Sequence, residues 1–151
     1  MPQREPETIR IGQLELKFLC DGADTLGRMD MFEMIVPPGA RVPGSHYHVE
    51  ADEAVYGLAG VLTYTIGGDV HEIRAGDHAF APRGAVHHFV NNGTEPARVL
   101  SVLTPGTIGP KYFREMGELV NAAMASRQPP DMERVKEIMR KHGLVAAPLP
   151  K

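Results

Sequence analysis

Two short clusters of histidine, glutamate, glycine and proline, set between Gly39 and Asn91, constrain this chain more than any other stretch. In the first, six residues separate Gly39 from His46, one separates His46 from His48, four lead to Glu53 and six more to Gly60. In the second, five residues separate Gly76 from Pro82, one leads to Gly84, two to His87 and three to Asn91. Side chains two apart on a strand share a face, so His46 and His48 project together while Tyr47 points away. The short connection to Glu53 predicts its carboxylate on the neighbouring strand, and His87, just past a Pro-Arg-Gly turn, can enter from a strand distant in sequence. Three imidazoles and one carboxylate can then converge. Such a set suits one divalent transition ion, with iron(II), manganese, nickel, zinc and copper all acceptable. Gly60, Gly76, Gly84 and Asn91 read as turn residues that position those ligands.

The flanking stretches predict many short strands. Residues 8–19 alternate apolar and polar side chains around Gly12, with Leu14, Leu16 and Phe18 on one face. A loop follows over Asp21–Gly27, then a strand from Met29 to Val36, stopped by Pro37-Pro38-Gly39. Val61–Ile66 and Val70–Arg74 form a hairpin about Gly67-Gly68-Asp69, and further strands cover Ala79–Pro82, His87–Val90 and Ala97–Leu103. Closely spaced strands and turns mean an antiparallel sandwich or barrel. After Thr104-Pro-Gly the apolar period lengthens to that of a helix, with Tyr112, Phe113, Met116, Leu119, Val120 and Ala123 in one stripe behind Pro110. Gln128-Pro-Pro130 breaks it. A second helix starts at Asp131, turns Met132, Val135, Ile138 and Met139 inward and stops at Gly143, before an apolar tail able to dock. The expected division is a β-barrel over 1–106 and two C-terminal α-helices within 107–151, packed on the same domain.

With 151 residues, 42% of them apolar, the chain fits one domain with a full core. Cys20 is the only cysteine and reads as a small buried hydrophobe; no internal disulfide can form. The polar start, Met1 to Glu7, has no apolar run behind it, so no membrane span is predicted and a cytoplasmic location is expected. A net charge of -3 without a Lys/Arg block, and no tryptophan, argue against nucleic acid as a partner. His71, His78, His88 and His142 lack the clustered spacing and read as ordinary histidines, with His88 outward beside His87. Tyr56 and Tyr64 are candidates to line the cavity.

The two clusters resemble the paired motifs of the cupin superfamily, Gly-x5-His-x-His-x3-4-Glu-x6-Gly and Gly-x5-Pro-x-Gly-x2-His-x3-Asn. The second matches at every position. The first carries one extra residue between Gly39 and His46, inside a loop containing Pro37, Pro38, Gly39, Pro43 and Gly44 where an insertion is tolerated. The fifteen residues from Val61 to Ala75 are a compact separation that resembles the small single-domain bacterial members. That resemblance implies a mostly β, double-sheet antiparallel jelly-roll barrel with one metal ion inside, bound by His46, His48, Glu53 and His87. Glu53 serves as ligand or as a catalytic base that swings on and off the ion. Likeness to quercetin-dioxygenase-like cupins implies an oxygenase of small enolic or aromatic compounds. A redox-neutral isomerase, epimerase or lyase and a non-catalytic metabolite-binding or sensing module stand as alternatives, and a homodimer is common in the superfamily.

Overall fold

The computed structural model describes residues 4–40 and 44–151, so Pro43 of the Pro-Gly loop lies outside the described residues. The predicted strands form, in chain order, as β1 (Glu7–Ile11), β2 (Leu14–Cys20), β3 (Asp30–Val36), β4 (His46–His48), β5 (Asp52–Ala59), β6 (Leu62–Ile66), β7 (Asp69–Ile73), β8 (His78–Ala81), β9 (His87–Val90) and β10 (Ala97–Thr104). Two helices follow, α1 (Gly109–Ala125) and α2 (Met132–Lys141), and then the apolar tail, in which the structure adds a short strand, β11 (Leu144–Ala146). One sheet has the order β1-β2-β3-β10-β5-β8 and the other β11-β4-β9-β6-β7, with the pairings antiparallel. This is the expected jelly-roll barrel.

Alternation explains the core. On β3, Asp30, Phe32, Met34 and Val36 are buried and the residues between them are half-buried; on β10, Ala97, Val99, Ser101 and Leu103 point inward. Leu14, Leu16 and Phe18 do share a buried face on β2. Asn91 ends β9 as a clamp: its amide donates to the Val36 and Glu95 carbonyls, both at 2.8 Å, and its Oδ1 accepts from Gly93 N–H. Gly60 sits at φ +66, where a Cβ would lie 2.3 Å from the Pro96 carbonyl oxygen, so only glycine closes the turn after β5.

Helix α1 lies against β1 and buries Tyr112, Met116 and Gly117, with Phe113 packed on Phe18 and Phe32 at ring separations of 5.5 and 5.2 Å. Its first turn has no cap of its own, because Ile108 occupies the N-cap position. Asp30 supplies one from β3. Fully buried, it accepts from Gly109 N–H at 3.0 Å and Ile108 N–H at 3.3 Å through Oδ2, and from Gly22 N–H at 2.9 Å through Oδ1. Helix α2 is capped as predicted by Asp131, which accepts from the Glu133 and Arg134 N–H groups, and it ends at Gly143 with φ +80. Val135 and Met139 are buried, whereas Met132, expected inward with them, lies at the outer end of that face and is 45% exposed. After Gly143 the chain re-enters the sheet, Leu144 opposite His48 and Ala146 opposite His46. No described helix is long and apolar enough to cross a membrane.

Asp30→Ala is expected to destabilise the protein by about 3 kcal/mol, since it takes the acceptor from three N–H groups, that of Ile108 fully buried. Urea denaturation measures the loss; an unchanged midpoint contradicts the capping role.

Candidate metal centre

Strand β4 is only three residues long and places His46 and His48 on its inner face, both buried, with Tyr47 turned away and half-buried. Strand β9 runs antiparallel beside it and sets His87 opposite His46. The ring centroids of His46, His48 and His87 lie 4.7 to 5.3 Å apart, and one nitrogen from each falls within 4.8 Å of the others. Glu53 arrives differently from the expectation. It is on β5, between β10 and β8 of the opposite sheet, and not on a strand neighbouring β4. Its carboxylate reaches across the interior, with Oε2 at 3.2 Å from His87 Nε2 and 3.9 Å from His48 Nε2.

Backbone carbonyls orient two of the rings. His46 Nδ1 lies 3.2 Å from the Gly44 carbonyl and His87 Nδ1 lies 2.9 Å from that of Ala85. A hydrogen bond there needs the proton on Nδ1, which leaves the Nε2 lone pair of each ring free. His48 Nδ1 is buried without a hydrogen-bond partner, and His87 Nε2 has none but the Glu53 carboxylate 3.2 Å away. Orphaned ring nitrogens inside an apolar core are costly, and a divalent ion answers free lone pairs of this kind. The donor set therefore fits a metal, and the three buried histidines are positioned to bind one.

Charge follows the same geometry. Burial, reinforced by His87 and His48, holds the His46 imidazole down to about 3, and burial also lowers His48 against the pull of Glu53. Burial pushes the Glu53 carboxyl up, but His87, His48 and His46 together outweigh it and hold that group at about 2. His87 is the exception: burial disfavours its charge, yet Glu53 more than offsets this and leaves it above its ordinary 6.5. Tyr64, buried on β6 and stacked on His87 at 5.8 Å, donates its hydroxyl to Glu53 Oε2 at 3.2 Å. Burial and then Glu53 push its phenol far upward, so it remains a donor.

The cluster forms one wall of a cavity whose other walls are apolar, among them Leu16, Phe32, Met34 and Leu103. Tyr64 lines it. Tyr56 does not: it faces outward from β5, 47% exposed, because the side chains of Glu53 and Val55 take the inward positions. His71 and His78 are exposed, His142 pairs with Glu115 at 3.2 Å, and His88 is half-buried beside His87. Tyr112 and Met116 of α1 also line the cavity, a role their helical stripe does not distinguish from ordinary core.

Residues 32–103 match the family model for the cupin domain. Protein SchB of Streptomyces halstedii is 34% identical over 71 residues, covering 47% of this chain and 51% of that protein. Polyketide synthase CurC of Streptomyces cyaneus is 35% identical over 71 residues, 47% of this chain and 46% of that protein. The chain thus spans about half the length of the curated relatives it matches. Among solved structures, a predicted oxalate decarboxylase from Thermotoga maritima superposes with a TM-score of 0.60 at 27% identity, over 70% of this chain and 99% of that one.

Replacing His46, His48 or His87 singly with Ala is expected to abolish stoichiometric metal while circular dichroism stays near wild type; full metal content in all three variants contradicts the ligand set. In the metal-free protein His87 holds its proton to higher pH than an ordinary histidine, so an incoming ion must displace that proton at neutral pH and below. Zinc affinity should therefore rise with pH until His87 is deprotonated, and fall by about tenfold per unit below that point. Titration from pH 5.5 to 8.5 checks the slope, and a flat profile counts against His87 as the competing site.

Proposed function

We propose, from the premise that this chain is a small cupin-superfamily protein, that it is a metal-dependent oxygenase of a small enolic or aromatic compound bound inside the barrel. The observation that carries this reading is the position of three buried imidazoles and one carboxylate at the wall of a mostly apolar cavity. His46, His48 and His87 would hold the ion, with Glu53 as a fourth ligand or as the base beside it. When bound, such an ion orients and polarises substrate oxygens and brings dioxygen next to them.

The protein's own groups account for the rest. The apolar walls exclude water and favour a flat, weakly polar substrate. Glu53, held ionised, can take the proton of an enol or phenol, and the Tyr64 hydroxyl steadies the carboxylate while it does so. The name of CurC, a polyketide synthase protein, supports the substrate class, since polyketides are built of repeated carbonyls that enolise and cyclise to phenols.

Elemental analysis of protein purified without chelators, followed by oxygen uptake with Fe(II)-loaded protein and a panel of β-diketones and phenols, tests the reading. Substrate-dependent uptake, reduced at least about 100-fold in Glu53→Gln, is the expected result. Stoichiometric zinc without uptake from any panel member overturns the oxygenase and moves the assignment to redox-neutral chemistry.

A further inference from the structure

Among the described residues that line the cavity, Tyr112 is the one whose polar atom the site described above does not use. It projects from α1, beyond residues 32–103 of the matched domain, and is 8% exposed. Its ring packs on Phe113 at 4.8 Å and on His142 at 5.7 Å. Burial alone pushes its phenol upward, with no hydrogen-bond partner contributing. Tyr64 differs, because its hydroxyl is engaged by Glu53. Buried tyrosine hydroxyls ordinarily find a partner, so one left over beside a cavity asks for an acceptor from outside the chain.

The position says where that acceptor comes. Tyr112, His46 and Met116 line the metal cavity and also a second cavity between α1, α2 and the β4–β11 edge, whose remaining wall includes Val135 and Met139. These three side chains are therefore a wall common to the two spaces, and on the metal-cavity side Tyr112 stands with Phe32, Met34 and Phe113, whose aromatic and thioether groups suit the faces of an aromatic ring.

We propose that Tyr112 is a ligand-contacting residue: its hydroxyl donates to an oxygen at the far end of a flat, mostly apolar ligand whose enolic end lies at His46, His48 and His87. The proposal rests on the reading of the barrel as a site for enolic or aromatic compounds, and it narrows that class to molecules with oxygen at both ends and an aromatic ring between them. The helical extension then selects the ligand, while the barrel supplies the chemistry.

Two probes that differ by a single oxygen separate these claims: 1-phenylbutane-1,3-dione, and its 4-hydroxyphenyl analogue with an acceptor oxygen at the far end of the ring. Cobalt(II)-loaded wild type and Tyr112→Phe are titrated with each under argon, following the visible bands of the metal. Wild type is expected to bind the hydroxylated probe about tenfold more tightly than the other, and Tyr112→Phe to bind both equally. Cobalt content and melting temperature should stay at or above the wild-type value, since the hydroxyl has no partner to lose among the described residues. Equal affinity of wild type for the two probes, or an undiminished preference in Tyr112→Phe, overturns the role of Tyr112 and leaves the enol site standing. Failure of both probes to perturb the cobalt bands of wild type overturns the enol site and the proposal with it. Should Tyr112→Phe not fold, the comparison of the two probes on wild type still decides.

Discussion

Polar atoms buried in an apolar sandwich must be answered by partners, and that constraint organises this molecule. Three imidazoles and a carboxylate occupy the interior between two sheets. Three of the four are held by a neighbour: His46 by the Gly44 carbonyl, His87 by the Ala85 carbonyl, Glu53 by the Tyr64 hydroxyl. One nitrogen of each ring lies within 4.8 Å of the others. The same surroundings that make an orphaned nitrogen costly make a bound cation and its neighbours interact strongly, because little water is present to screen them.

The same rule acts a second time under the roof. Asp30 is as buried as any group in the protein, and burial pushes its carboxyl up against the hydrogen bonds from Gly109, Gly22 and Ile108 that draw it down. The carboxylate is kept where a helix start would otherwise be uncapped. Through it, β3 fixes where α1 begins, and so where Tyr112 and Met116 sit over the cavity.

The histidines were legible in the sequence because strand period and motif spacing act locally: His46 and His48 share a face by the pleat alone, and the turn before His87 is written in Pro82, Arg83 and Gly84. Strand limits and both helices could be read for the same reason, from alternation, glycine and proline. Sheet membership could not. A four-residue gap before Glu53 is compatible with an adjacent strand or with a crossing to the facing sheet, and only the pairing of β5 with β10 and β8 decides. Tyr56 fell outside for a related reason, since Glu53 and Val55 already fix the inward parity of β5. Asp30 as a helix cap and Tyr112 as a cavity residue had no local signal, because each acts on residues far away in the chain. Leu144–Ala146 looked merely apolar, and three residues are too few to show a strand period.

The short strand that carries His46 and His48 has one neighbour, β9, about forty residues downstream and another, β11, nearly a hundred residues downstream. Val49 N–H and the Ser45 hydroxyl are satisfied by Gly143 and Ala147, so both ends of this strand depend on the same distant segment. During synthesis the histidine wall of the cavity therefore stays half built until residue 147 has left the ribosome. Loop closure over such a span is slow compared with hairpin formation, which places the β6–β7 hairpin early and the histidine strand late in the order of assembly.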